Sequence, residues 1–293
     1  MIEAELRGKV SSDLQDAEDL LTSAVFGLLQ YLPPGIFWPV VLTHAESPAG
    51  KSFVERCKEL GAHIAKYEKV GVYFWPVHQE YGEPDLLLVF SGRGQLPLCF
   101  IIETKLWASK SGREEQDQLN RYLKALKDSE WLGRITGFHG SVALPGLIYL
   151  TPRAAWLELY DSIEHAPDYL VADSSLFLLQ WQDILEVARQ VFPQANEPQR
   201  TMLSRIAEFL EHRGLAYFRG FSYLSLEHFT VEVSFYSSAK AGFSGFTEIP
   251  LETASLAKLC FYTSKQASIF RRFTEEPFEP VTARDTLFYG GDQ

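Results

Sequence analysis

The 293-residue chain has a formal net charge of −11, with 46% hydrophobic and 22% charged residues; this is the make-up of a globular protein and argues against disorder throughout and against a wholly basic nucleic-acid coat. The length allows one large core or two modest ones. No apolar run approaches the ~18 to 20 residues that span a bilayer, and the opening MIEAELRGKVSSDLQDAEDL has no apolar segment of signal type, so no membrane is expected and a cytoplasmic location is the default.

The first helix is predicted over 14–32. Leu14, Leu21, Val25, Leu28 and Leu32 advance in helical steps, and Pro33-Pro34 closes the run. Glu18 falls on this stripe while Asp16 and Asp19 turn away, so one carboxylate is aimed at the core side. Residues 36–42 (IFWPVVL) read as an extended apolar segment, 52–64 as a short helix, and 70–78 (VGVYFWPVH) as a strand. LLLVF after Pro84-Asp85, the turn SGRGQ at 91–95 and LCFIIETKL at 98–106 then form a hairpin in a central sheet. A period of two puts Ile101, Glu103 and Lys105 on one face of the last strand, with Phe100, Ile102 and Thr104 on the other.

A helix is predicted over 112–127, with Gln118 and Tyr122 one turn apart on one face. GLIYLTP at 146–152 and SLFLLQW at 175–181 read as buried strands, and helices fill 182–192 and 198–213. Strands alternating with helices indicate an α/β domain over 1–215. Residues 216–293 change character: aromatic and Ser/Gly-rich stretches (YFRGFSYL, HFTVEVSFY, GFSGFTEIP) precede a helix-like run at 251–273. With no internal repeat and no low-complexity linker, this β-rich and helical extension is expected to dock on the core.

The chemistry concentrates between Pro84 and Tyr122. Hydrolysing a phosphodiester requires neutralising a developing anion, holding a water in line and easing departure of the leaving oxygen, and a divalent metal serves all three needs. Asp85 at the start of one strand and Glu103 near the end of its neighbour can converge on one metal, with the Thr104 carbonyl beside them and Glu18 as a further ligand from the first helix. Lys105, two residues from Glu103, shares its face and can orient or deprotonate the attacking water or stabilise the anionic transition state. Gln118 and Tyr122 would line the cleft and contact the substrate backbone, while Lys110, Arg113 and Arg121 meet phosphates. Glu18 has another reading, as a loop cap or arginine partner, and Tyr122 another as a core residue.

Glu18, Pro84-Asp85, Glu103-Thr104-Lys105 and the segment from Gln118 to Tyr122 (QLNRY) resemble the signature of the PD-(D/E)xK nuclease superfamily, in its bacterial subgroup with a QxxxY motif on the following helix. The opening helix EDLLTSAVFGLLQYLP, the YLTP strand and the WQDI strand-to-helix junction carry the same resemblance, which covers about residues 10 to 215. It implies a restriction-endonuclease-like core, a central mixed β-sheet flanked by helices, and Mg²⁺- or Mn²⁺-dependent cleavage of nucleic acid, most often DNA, in defence or DNA processing. A protein partner or a homodimer is compatible with it. The alternative is a nuclease-fold module that no longer cuts and instead binds nucleic acid or a protein.

Other features read as structural. Residues 45–52 (AESPAGKS) satisfy a permissive phosphate-loop pattern, but Ala45 replaces its first glycine and Pro48 removes one of the N–H groups that would cradle phosphate, so a surface loop and helix start are expected. Cys57, Cys99 and Cys260 lack metal-type spacing and read as reduced, buried thiols. His78, the one histidine near the cleft, reads as a packing residue, and the aromatics Tyr217, Phe218, Phe221, Tyr223 and Phe229 as packing or protein contact.

Overall fold

Five apolar segments form one sheet. The computed structural model describes residues 2, 18–106, 109–112, 116–170 and 172–217, together with the backbone of 234–235, 238–239, 242–243 and 247–248. Strands β1 (Lys69–Phe74), β2 (Leu86–Ser91), β3 (Leu98–Thr104), β4 (Leu147–Thr151) and β5 (Leu176–Gln180) lie in sequence order across it. β1, β2 and β3 pair antiparallel, whereas β3, β4 and β5 pair parallel. Loops without a helix join the antiparallel strands, over 75–85 and 92–97, whereas the parallel steps require crossovers, which helices supply.

The helices are α1 (Glu18–Leu29), α2 (Trp38–Val41), α3 (Phe53–Glu59), α4 (Gln118–Lys127), α5 (Ser129–Thr136), α6 (Trp156–Glu164), α7 (Trp181–Val191) and α8 (Glu197–His212). They cover the sheet on both faces, which is why its inner strands are buried at nearly every position and apolar along most of their length, not only at alternate residues. On one face Leu88, Phe90, Phe100, Ile102, Leu150 and Phe177 join a cluster with Phe26, Trp38, Phe53, Trp181 and Phe209. On the other, Leu87, Cys99, Ile101, Leu147 and Tyr149 meet Leu119, Leu123, Trp131 and Leu159. Phe100 sits at 0% exposure with ring centroids 4.8 Å from Phe53 and 5.8 Å from Phe90. Phe100→Ala is expected to cost ~3–5 kcal/mol, read as a lowered denaturant midpoint with an unchanged slope.

Several elements depart from expectation. Residues 36–42 are not extended: Pro39 in the first turn of α2 favours helix there, and Trp38 and Val41 point into the core. β1 stops at Phe74 because Trp75 adopts φ 48°, a left-handed conformation that turns the chain. α3 ends at Glu59, well short of Ile64. The helix expected from Gly112 begins only at Gln118: Gly112 has φ +77°, any Cβ there would lie 1.9 Å from the Gln116 carbonyl oxygen, and Asp117 caps the helix by accepting from Asn120 N at 3.0 Å.

The 45–52 segment is a loop ending in a helix start. Ser52 and Glu55 form a capping box for α3, Lys51 is paired with Glu59 at 2.6 Å, and Glu46 exchanges backbone hydrogen bonds with Leu178, covering the edge of β5. The lysine that would meet phosphate is thus engaged locally. Burial pushes the Cys57 and Cys99 thiols up to about 12, so both are inert; Cys260 lies outside the described residues.

The chain divides into two compact units, Met1–Phe218 and Arg219–Gln293. In the second, Ser234–Phe235 pairs with Thr247–Glu248 and Ser238–Ala239 with Gly242–Phe243, all antiparallel. The helix-like run at 251–273 and the aromatics Phe218, Phe221, Tyr223 and Phe229 lie outside the described residues. No helix among the described residues is long and apolar enough to cross a membrane.

Candidate functional site

Asp85 precedes β2, and its own carbonyl accepts from Trp75 N at 2.9 Å, so the left-handed turn at Trp75 helps fix its position. Antiparallel pairing of β2 with β3 sets Leu86 opposite Ile102, which brings Asp85 beside Glu103 and Thr104 at the other strand's end. The contacts follow from that register. Thr104 donates to Asp85 Oδ2 through both its backbone N, at 2.7 Å, and its hydroxyl, at 2.8 Å. Asp85 N in turn points at Glu103 Oε2 over a long 3.4 Å. Because both short bonds to Asp85 end on Oδ2, Oδ1 is its oxygen left to a ligand.

Lys105 occupies the centre. Its Nζ donates to Glu103 Oε1 at 2.7 Å, Thr104 O at 2.8 Å and Glu18 Oε1 at 3.0 Å, matching three N–H groups to three oxygens. Glu18 arrives from the first turn of α1, and its second oxygen accepts from Leu106 N at 2.8 Å. Asp85, Glu103 and Lys105 are buried and Glu18 is half-buried. Three carboxylates against one ammonium leave a formal charge of −2 when all are ionised.

Burial opposes that charge. Burial, then the neighbouring Asp85, push the Glu103 carboxyl up to about 8 against the opposing pull of Lys105. Glu18 is also raised, chiefly by burial, although Lys105 and the Leu106 N–H hold it back. For Lys105 burial works to lower the value, but Glu103 and Glu18 outweigh it and keep the ammonium above the ordinary lysine range. The lysine is therefore a fixed cation.

Gln118 and Tyr122 do reach this cluster, but from behind. Gln118 Nε2 donates to Glu103 Oε1 at 2.7 Å, its Oε1 accepts from Ser111 N at 3.0 Å, and Tyr122 OH donates to the Glu83 carbonyl at 2.9 Å. Both side chains are buried. They hold Glu103 and the approach to Asp85 in place, where a contact with the substrate backbone was expected of them.

Lys110 departs from expectation. It is held between the Asp117 and Asp161 carboxylates, with Asp161 Oδ2 at 2.6 Å, and only 6% of its side chain is exposed, so it fastens the 109–112 loop and faces no phosphate. Lys110→Ala leaves the buried Asp117 without its cation and is expected to cost ~3–5 kcal/mol of stability, measured by urea unfolding. Arg121 is half-buried with its guanidinium against Gly82, and Arg113 lies outside the described residues. His78 is buried, as a packing residue should be.

Three contributors had escaped the sequence reading. Thr22 of α1 meets Thr104 hydroxyl to hydroxyl at 2.8 Å; its place beside Leu21 on the inward stripe was the available signal. Trp181 donates from Nε1 to the Lys105 carbonyl at 3.0 Å, tying the start of α7 to the lysine's backbone. Tyr149, paired with Glu103 across β3 and β4, donates to Glu158 Oε2 at 2.7 Å.

The donor set, carboxylate and carbonyl oxygens around an excess of negative charge, has the chemistry of a site for a hard dication. Among the described residues no group of three or more His, Cys, Asp or Glu is disposed to hold a metal ion, and Lys105 takes one oxygen from each of Glu18, Glu103 and Thr104. Comparison with family models, with curated proteins and with solved structures gave no match for the chain.

Proposed function

We propose that the chain is a Mg²⁺- or Mn²⁺-dependent nuclease of the PD-(D/E)xK type, acting on DNA through Asp85, Glu103 and Lys105 on a restriction-endonuclease-like core. One observation carries the reading: a carboxylate at the start of β2 and a Glu-x-Lys pair at the end of β3 meet in the interior, and together with the half-buried Glu18 they carry a formal charge of −2 that a dication would neutralise. Asp85 and Glu103 would hold the metal, with Glu18 and the Thr104 carbonyl next to them. When bound, the metal supplies Lewis-acid stabilisation of phosphate oxygens and a more acidic water. Thr104 fixes which Asp85 oxygen is presented, Gln118 fixes Glu103, and the Lys105 ammonium stands ready to steady the anionic phosphorane-like charge.

A second reading, an inert nuclease-fold module that binds nucleic acid or a protein partner, draws on the saturation of all three Lys105 N–H groups. Supercoiled plasmid and single-stranded DNA incubated with Mg²⁺ or Mn²⁺ separate the two. The parent should cut, and Asp85→Asn should reduce cutting by at least about 10²-fold. Equal cutting by both proteins would defeat the assignment of Asp85.

A further inference from the structure

A second constructed feature lies at the far end of α4 from Gln118. A cavity of ≈ 320 Å³ is lined by Glu80 and Tyr81 from the β1–β2 connection, Lys124, Lys127 and Asp128 from the end of α4, and Tyr169. Its wall is fastened from beneath. The buried His78 accepts from Glu80 N and Tyr81 N at Nδ1, both at 3.1 Å, and its Nε2 lies 3.1 Å from Asp128 Oδ2. Two accepted N–H groups assign the ring proton to Nε2, so His78 donates to Asp128. The His78 and Tyr81 rings lie 4.6 Å apart, which sets the tyrosine's plane.

The charges in this cavity are not equivalent. Asp128 is engaged by His78 and by the Glu130 and Trp131 backbone N–H groups at 2.9 and 3.1 Å, where it caps α5. Lys124 has no ion pair among the described residues, and Lys127 bonds only a carbonyl, that of Tyr169, with its Nζ 5.5 Å from the Tyr169 ring. Two ammonium groups and two tyrosines are therefore presented together, with the Glu80 carboxylate bonded to Tyr81 and the Tyr169 ring 61% exposed. Aromatic faces beside unpaired cations take a nucleobase and its phosphate, and they do so without preference for sequence.

The position gives the cavity a role. α4 runs ten residues from Gln118 to Lys127, a span of about 13.5 Å at ~1.5 Å per step, or about four nucleotides at a stacked rise of ~3.4 Å. Arg121 lies between the two ends, against Gly82 and next to Tyr81. We infer that the Tyr81–Lys124–Lys127–Tyr169 cavity is a nucleotide-binding subsite that captures one unstacked base of a single strand about four nucleotides from the phosphate held at Asp85 and Glu103. This rests on the nuclease reading and adds to it that the substrate is single-stranded on at least one side of the cut.

Fluorescein-labelled oligothymidines of about two to eight nucleotides, titrated with Mg²⁺ present against the full chain carrying Asp85→Asn, test this by anisotropy. Affinity is expected to rise about tenfold as the length passes about four nucleotides, and adding Tyr169→Ala or Lys124→Ala should abolish that step while melting stays within a few degrees. A step that survives both substitutions overturns the subsite, as does a loss of affinity equal at every length. If the parent cuts DNA but shows no step, the subsite falls and the nuclease reading stands. If it neither cuts nor binds any oligonucleotide, both fall.

Discussion

Lys105→Met is expected to lower DNA cleavage by about 10³-fold and, unlike most losses of a catalytic cation, to increase the response of folding stability to divalent metal. The reason is the lysine's position. Its Nζ is the common partner of Glu18 Oε1, Glu103 Oε1 and Thr104 O. Methionine keeps most of the buried stem and removes the charge, so three carboxylates are left facing one another; without metal the variant should lose ~3–5 kcal/mol. Adding Mg²⁺ or Ca²⁺ should then raise its melting temperature more than the parent's, because the oxygens released by the ammonium become free for a cation. Calorimetry with and without EDTA reads the stability, and plasmid nicking reads the activity. A variant that cuts within about threefold of the parent would remove Lys105 from the chemistry; a variant indifferent to metal would remove Glu18 from the metal's neighbourhood.

What could be read from the residues and what could not separate along a physical line. The meeting of Asp85, Glu103 and Lys105 was legible because strand period and hairpin register are local: once β2 and β3 pair, Leu86 must face Ile102, and the two strand ends carry their carboxylates together. Glu18 was legible because a helical stripe shows which way a side chain faces. The direction of hydrogen bonds was not. Gln118 and Tyr122 have the polar tips of substrate contacts, and only their partners, Glu103 and the Glu83 carbonyl, reveal that they brace the site from within. Lys110 was misread for a similar reason, since Asp117 and Asp161 come to it from 7 and 51 residues away and no local pattern announces a buried pair across that separation.

Two helices also went unread, for opposite reasons. α5 carries ordinary signals that are legible in the residues, an Asp128 N-cap and Gly137 in the left-handed conformation at its end. α6 does not, because no side chain caps Ala155 and Leu157 is 85% exposed, so its apolar residues trace no clean stripe. Its packing against the sheet, through Leu159, decides it. Tertiary contacts override weak local preference there.

Glu103→Gln should make the metal-free protein more stable at alkaline pH while abolishing cleavage. Burial and the Asp85 charge hold the Glu103 carboxyl at about 8 in the folded chain, against an unfolded value near 4.5. A carboxyl raised on folding binds its proton more tightly in the native state, so it disfavours folding above about 8, and that penalty disappears as pH falls toward 4.5. Between about pH 5 and pH 9 the parent should lose stability on the order of 4 kcal/mol from this group, a loss the glutamine variant escapes. The formal charge of −11 lowers the stability of both proteins as pH rises, so the informative quantity is the difference between them, taken from urea unfolding in EDTA across that range. Mg²⁺ should restore the parent at the alkaline end and leave the variant unmoved. On the nuclease reading, the same buried carboxylate that weakens the empty fold would give the site its affinity for a dication, a conflict between stability and activity expected of a catalytic group and not of a residue kept for packing. A parent and variant with parallel stability profiles would show that Glu103 is not held in this state, and the charge argument for the site would fall with it.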